Sequence, residues 1–252
     1  MRSNPTAPSV RSRETARSRP ARGRRLGLLC ASAAAALGLL LSVPGVASAE
    51  SNGGLRIMPL GDSITDGFTV PGGYRTPLWH RAEADGRVDD FVGSQFNGPA
   101  DLGDHDHEGH SGWRIDEIDA QVTGWVQSTA PRTVLLHIGT NDVVQDHDMG
   151  AAPDRLSALI DHLTTAAPDA DVFVSDIIPL GDPVLEERAQ AYNAAVPGVV
   201  QQWADQGRHV HFVPMHDALG TDDLADGIHP NATGYSEMAD RWYGALTAGP
   251  WI

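Results

Sequence analysis

Two nearly continuous apolar runs, at 133–138 and 172–178, are the feature that most constrains the fold. Such runs are typical of strands that are covered on both faces, as in a parallel sheet packed between helices. Further short runs with strand character lie at 55–60, 90–92 and 209–213. Stretches with helical spacing of apolar residues lie between or after them, at 74–84, 115–127, 154–166, 186–206 and 231–246. This alternation predicts an α/β domain whose five-stranded parallel sheet has helices on both sides.

The N-terminal segment has the layout of an export signal. Residues 2–25 contain eight Arg and one Glu, and an apolar stretch follows at 26–43. Pro and Gly end that stretch, and Ala-Ser-Ala at 47–49 is a small-residue cleavage site. We therefore predict a secretory signal peptide at 1–49, an extracellular protein, and one domain at 50–252. An uncleaved membrane anchor is the alternative, because the apolar stretch is just long enough to span a bilayer.

The predicted domain is strongly acidic. Residues 50–252 carry 10 Arg, no Lys and 32 Asp or Glu, a net charge of −22 with His neutral. Such a surface repels nucleic acid and anionic membranes, so neither is an expected partner. The only cysteine, Cys30, lies in the predicted signal segment, so the domain has no disulfide and no cysteine ligand. We expect a monomer that acts on an uncharged polysaccharide or a small ester.

Two short motifs supply a potential nucleophile and a potential base. The motif GDSITDG starts at residue 61 and puts Ser63 just after the first predicted strand. The motif DGIHPN starts at Asp226 and contains His229. A serine hydroxyl must be activated by an adjacent base, and an acid can orient the imidazole. We predict that Ser63, His229 and Asp226 are catalytic, although Ser63 could instead be a helix cap and a lone His at a helix start is usually structural.

Two residues between these motifs are candidates for an oxyanion hole, in which several donors face the developing charge. Asn141 follows a core strand in the motif GTND and offers a side-chain NH₂ group. Gly112, in the motif HSGW, offers a backbone N–H that no side chain obstructs. The alternatives are an ordinary Asx turn for Asn141 and a loop glycine with positive φ for Gly112. The occurrence of both residues after predicted strands favours the catalytic interpretation.

These four motifs, in the order Ser63, Gly112, Asn141 and His229, resemble the four blocks of the SGNH, or GDSL-type, hydrolases. The resemblance extends from residue 55 to about residue 245. It implies a flavodoxin-like three-layer α/β/α fold and a serine esterase that uses no metal and no cofactor. It also implies that the backbone N–H of Ser63 is the third oxyanion donor.

Several segments between the motifs resemble carbohydrate esterase family 3, the acetylxylan esterases. They are GGYR at 72–75, DFVGS at 90–94, DHEGHSGWRID at 106–116 and LLHIGTND at 135–142. This resemblance implies the removal of acetyl groups from xylan. A lipase, a lysophospholipase or a general short-chain carboxylesterase of the same superfamily is the first alternative. A catalytically inactive glycan-binding module of the same fold is the second.

The segment 94–112 is rich in Gly, Asp and His, and we expect a long solvated loop beside the site. The spacing of its His residues does not match the zinc-protease helix, and its Asp residues lack the EF-hand pattern, so no metal is expected. A structural ion such as calcium, bound by the Asp residues, is the alternative. We expect Arg75 to pair with surface carboxylates. Trp113 could stack on a sugar ring or belong to the core or a lid. Arg114 could line the sugar site or pair with carboxylates, and both residues are candidate substrate contacts.

Overall fold

The computed structural model describes residues 51–248, which form a seven-stranded sheet flanked by helices, so the predicted α/β class is confirmed. The predicted signal peptide at 1–49 lies outside the described residues. The strand order is β3-β4-β1-β5-β6-β7, with β2 also paired to β1. The strands are β1 (Leu55–Gly61), β2 (Asp89–Phe91), β3 (Gln95–Phe96), β4 (Asp106–Gly109), β5 (Thr133–His137), β6 (Asp171–Ser175) and β7 (Val210–Val213).

The central strands run parallel, so their carboxyl ends lie at one edge of the sheet. Strand β1 pairs with β5 along one side, from Ile57 opposite Thr133 to Gly61 opposite His137. Its other side is divided between two strands: β2 pairs with its beginning and β4 with its end. Ligands of open α/β sheets bind beyond the carboxyl ends of the strands. Ser63 follows β1 at that edge.

The helices cover both faces of the sheet. They are α1 (Ser63–Asp66), α2 (Arg75–Ala84), α3 (Ile115–Thr129), α4 (Thr140–Val144), α5 (Ala152–Ala166), α6 (Pro183–Asn193), α7 (Val196–Ala204) and α8 (Ala232–Thr247). Successive strand residues point to opposite faces. Thus Val134 belongs to the buried cluster under α3 and α5, whereas Leu135 belongs to the cluster under α2 and α8. Among residues 51–248, no helix is long and apolar enough to cross a membrane.

The single helix predicted at 186–206 is in fact two helices, α6 and α7. The second of them begins at Val196, and Pro197 lies in its first turn. A proline inside a helix lacks the N–H donor, and its ring clashes with the carbonyl group four residues earlier. A new helix can start there because the first N–H groups of a helix need no partner within it.

The segment 94–112 is not a solvated loop throughout, because it contains β3 and β4. These two strands are antiparallel, and β4 extends the sheet beside the end of β1. Glu108 of β4 is fully buried, and its carboxylate accepts hydrogen bonds from the N–H (2.8 Å) and Oγ (2.7 Å) of Ser94. It also lies 2.7 Å from Nε2 of His110. Buried polar groups with such partners are tolerated, so a polar segment forms a strand here.

Gly139 fixes the backbone between β5 and α4. Its φ is +122°, a conformation that favours glycine, and an added Cβ would lie 2.6 Å from Cε1 of Tyr192. The Tyr192 hydroxyl in turn donates to the carbonyl oxygen of Ile138 (3.1 Å). Asn141, two residues later, therefore takes its position from a turn that excludes a side chain.

Gly139→Ala should destabilise the protein by at least about 2 kcal/mol, because it adds backbone strain and overpacking. Urea denaturation measures the loss. Gly124→Ala in α3 is the matched control, since its Cβ would meet no atom within 4 Å and alanine is favoured over glycine in a helix. Equal stabilities of the two variants would contradict the close packing at Gly139.

Candidate active site

Ser63 lies in a tight turn at the end of β1. Asp62 caps the short helix α1 by accepting the N–H of Ile64 on Oδ1 (3.0 Å), and Gly67 ends the helix in the left-handed conformation with φ +86°. The N–H groups of Gly67 and Phe68 both donate to the carbonyl oxygen of Ser63, at 3.0 and 3.1 Å. This single turn holds the Ser63 side chain at the carboxyl edge of the sheet.

His229 and Asp226 share a turn that precedes α8. The N–H of Ala225 donates to the carbonyl oxygen of His229 (2.8 Å), and Asn231 caps α8 through its Oδ1. Oδ1 of Asp226 accepts the N–H groups of Ile228 (3.0 Å) and His229 (2.8 Å). The imidazole is thus held in a rigid turn whose far end is the start of a long helix.

The structure brings the three predicted catalytic side chains together in one hydrogen-bonded chain. Ser63 Oγ lies 2.9 Å from His229 Nε2, and His229 Nδ1 lies 2.8 Å from Asp226 Oδ2. Partial burial acts to raise the pKa of Asp226, but hydrogen bonds from His229 and Ile228 outweigh it and hold this pKa below its ordinary value. The ionised carboxylate only accepts hydrogen bonds, so Nδ1 carries the imidazole proton and Nε2 is free to accept the Ser63 proton.

The predicted oxyanion donors lie around the same serine. Among residues 51–248, neither the N–H of Ser63 nor the N–H of Gly112 has an intramolecular acceptor. Gly112 has a φ of +84°, and its Cβ direction is open. Nδ2 of Asn141 donates to the carbonyl oxygen of Trp113 (2.9 Å), which orients the amide, and it also makes a long contact of 3.5 Å with Oδ2 of Asp62. Two unused backbone donors and one weakly engaged amide can therefore bind an oxyanion here.

Asp62 belongs to this site, although sequence reasoning missed it. Its side chain is fully buried, and Oδ2 lies 3.5 Å from Nδ2 of Asn141. Burial raises the pKa of Asp62 to about 6, against the opposing hydrogen bond from the N–H of Ile64. Its place directly before the predicted nucleophile in GDSITDG was the available signal. The carboxyl group connects the turn of Ser63 to the amide of Asn141.

Trp113 and Arg114 lie beside the predicted oxyanion donors and have partners within the protein. The Trp113 ring stacks on His110 with centroids 4.4 Å apart, and His110 stacks on Trp125 at 4.7 Å. Arg114 donates to Oε1 of Gln145 (2.9 Å) and forms an ion pair with Asp116 at 3.1 Å. The substrate-binding roles expected for both residues stay predictions.

The expected surface pairing of Arg75 is wrong. The residue is fully buried, and its guanidinium donates to the carbonyl oxygens of Thr65 (3.2 Å), Asn97 (3.1 Å) and His105 (3.3 Å). Carbonyl groups of two separate segments therefore replace water around this charge, and they join α1 to the β3–β4 segment.

Among the described residues, no group of three or more His, Cys, Asp or Glu side chains is arranged to hold a metal ion.

Comparison with known proteins identifies the family of the chain. Residues 60–236 match the model of the GDSL-like lipase/acylhydrolase family, which covers more than half of the chain. The chain therefore belongs to this family of ester hydrolases, and the predicted enzyme class is confirmed.

Within the family the chain is close to the carbohydrate esterases of family 3. A solved family 3 carbohydrate esterase from Clostridium thermocellum is 40% identical, with a TM-score of 0.69 over 75% of this chain and 93% of that one. A solved acetyl esterase mutant with an acetate ion is 31% identical, with a TM-score of 0.68, and the match covers 77% of this chain and 97% of that one. A multidomain esterase from Ruminococcus flavefaciens is 32% identical over 86% of this chain, which spans 31% of that protein's length.

Asp62→Asn should change how stability depends on pH. The pKa of Asp62 is about 6 in the folded protein and 3.8 in the unfolded chain, so the folded state retains a proton that the unfolded state loses between these values. The Asp62 contribution to stability therefore falls as pH rises from 4 to 6, by on the order of 3 kcal/mol. Asparagine does not titrate, so the stability of the variant does not fall for this reason between pH 4 and pH 6.

Urea denaturation of wild type and Asp62→Asn at pH 4 and pH 7 measures the effect. The quantity compared is the difference in unfolding free energy between the two proteins at each pH. Wild type should lose stability relative to Asp62→Asn on going to pH 7. Asp205→Asn, at the exposed end of α7, removes the same charge without the burial and is the matched control. A wild-type protein that gains stability relative to Asp62→Asn over this interval would contradict the raised pKa.

Proposed function

We propose that this chain is a secreted serine esterase that removes acetyl groups from xylan. The observation that carries the proposal is the hydrogen-bonded chain from Ser63 through His229 to Asp226. It joins a hydroxyl, a base with a free acceptor nitrogen and an orienting carboxylate, the arrangement that acyl transfer requires. Export after cleavage behind Ala49 belongs to the same proposal and rests on the sequence of the first 49 residues.

Each step of the proposed reaction uses a group in this site. His229 Nε2 takes the Ser63 proton while Oγ attacks the acetyl carbonyl carbon, and the carbonyl oxygen becomes an oxyanion. The N–H groups of Ser63 and Gly112 and the amide of Asn141 bind that oxyanion. Asp226 stabilises the imidazolium, which then gives its proton to the departing sugar oxygen. An acetyl group remains on Oγ.

Water completes the cycle by the same route. His229 takes a proton from water, the resulting hydroxide attacks the acetyl-enzyme, and the oxyanion forms again in the same hole. The ester bond to Oγ then breaks, Ser63 regains its proton from His229, and acetate leaves. The two half-reactions need no redox partner.

Two kinds of observation favour an acetylated neutral polysaccharide as substrate. The related solved structures include a family 3 carbohydrate esterase and an acetyl esterase with an acetate ion. The net charge of −22 on residues 50–252 opposes anionic ligands, whereas xylan chains that carry acetyl groups are uncharged. The resemblance of 106–116 to the acetylxylan esterases favours xylan within that class.

Acetate release from acetylated xylan tests this proposal. Ser63→Ala should lower the rate at least about 10³-fold, because the nucleophile acts as a unit with its base. Ser128→Ala is the matched control, since this serine is exposed on α3 and its hydroxyl donates to the carbonyl oxygen of Trp125 (2.9 Å). Equal acetate release from wild type and Ser63→Ala would overturn the mechanism.

Acyl-chain preference separates this proposal from a lipase. The wild-type protein should cleave p-nitrophenyl acetate far faster than p-nitrophenyl octanoate. Equal rates on the two esters would contradict an acetyl-specific site and favour a lipase. Binding of xylan without any acetate release would favour a glycan-binding module.

A further inference from the structure

An exposed aromatic ring lies directly against the catalytic imidazole. Phe68 is 66% exposed, and its ring centroid lies 5.0 Å from that of His229 with an interplanar angle of 39°. Single exposed apolar residues are common on protein surfaces and need no explanation by themselves. This one differs because it borders the reacting groups, so any ester bound at Ser63 must pass close to it.

The backbone of Phe68 is fixed to both catalytic segments. Its N–H donates to the carbonyl oxygen of Ser63 (3.1 Å), in the turn that holds the nucleophile. The next residue, Thr69, donates through Oγ1 to the carbonyl oxygen of Pro230 (2.7 Å), directly after His229. The backbone that carries the ring therefore has a fixed position relative to Ser63 and His229. An aromatic side chain with only two rotatable bonds loses little entropy when it contacts a ligand.

We propose that Phe68 is the residue that selects a carbohydrate ester, by stacking its free face on a pyranose ring of the polysaccharide next to the ester. This inference rests on the proposed function. The C–H groups of a pyranose present an apolar face, and aromatic rings gain contact energy when they cover such a surface. A ring that served only to shield His229 would need one face, and Phe68 as a whole residue remains 66% exposed.

Phe96 offers a control of the same chemistry. It is 67% exposed, and its ring stacks on an imidazole, that of His105, with centroids also 5.0 Å apart. It lies on the outer strand β3. The imidazole Nε2 of His105 forms a hydrogen bond with the carbonyl oxygen of Pro99 (3.1 Å). Phe68 and Phe96 thus have similar exposure and the same centroid distance to an imidazole, and they differ in the segment that they border.

The test compares acetylated xylotetraose with ethyl acetate, a small ester without any ring. Phe68→Ala should lower kcat/KM on the oligosaccharide ~10-fold more than on ethyl acetate, through KM, because it removes an aromatic contact. Phe68→Trp should restore the wild-type ratio between the two substrates. Phe96→Ala should keep both rates of the wild type. Aryl esters are unsuitable here, since their own ring can stack on Phe68.

The outcomes separate this inference from the function on which it rests. If the wild type releases no acetate from the oligosaccharide, the proposed substrate fails and Phe68 loses its role with it. If the wild type is active but Phe68→Ala loses the same factor on both substrates, only the stacking inference is overturned. A shifted pH profile on ethyl acetate together with equal losses would assign Phe68 to shielding His229 instead.

Discussion

The contact between Ser63 Oγ and His229 Nε2 joins residues 166 positions apart, and the organisation of the domain is what makes it possible. The hydroxyl is available only because β1 ends at Gly61, at the carboxyl edge of the sheet. The imidazole reaches it because α8 packs beside α2 on one face, so the turn before α8 lies at the same edge. The predicted nucleophile and the predicted base, far apart in the sequence, thus meet through the packing of one helix on one sheet.

A second set of contacts holds the segment that carries Gly112. The buried carboxylate of Glu108 bonds to His110, and the N–H of His110 donates to the carbonyl oxygen of Gly61 (2.9 Å). Asp66, three residues after the predicted nucleophile, accepts the hydroxyl of Ser111 (2.6 Å). The backbone before Gly112 is therefore attached both to the end of β1 and to α1. Oxyanion donors need such preorganisation, because a donor that must reorient during the reaction contributes less.

The sequence predicted the features that depend on local patterns and missed those that depend on distant partners. The apolar strands at 133–138 and 172–178 were evident because burial on both faces requires apolar residues. Strand β4 was missed because its residues are polar, and the burial of Glu108 depends on partners outside the strand, Ser94 and His110. The motifs predicted the three residues of the hydrogen-bonded chain. The positions of Asp62 and Phe68 beside Asn141 and His229 became visible only in the structure.

The proposed mechanism requires that Ser63 becomes acylated. Diethyl p-nitrophenyl phosphate, which transfers a phosphoryl group to an activated serine, tests it directly. We expect one diethylphosphoryl group per chain, located on Ser63 by peptide mass mapping, and a loss of esterase activity in proportion to the label. Complete inactivation with the label on another residue, or full activity after Ser63 has been labelled, would show that Ser63 is not the nucleophile.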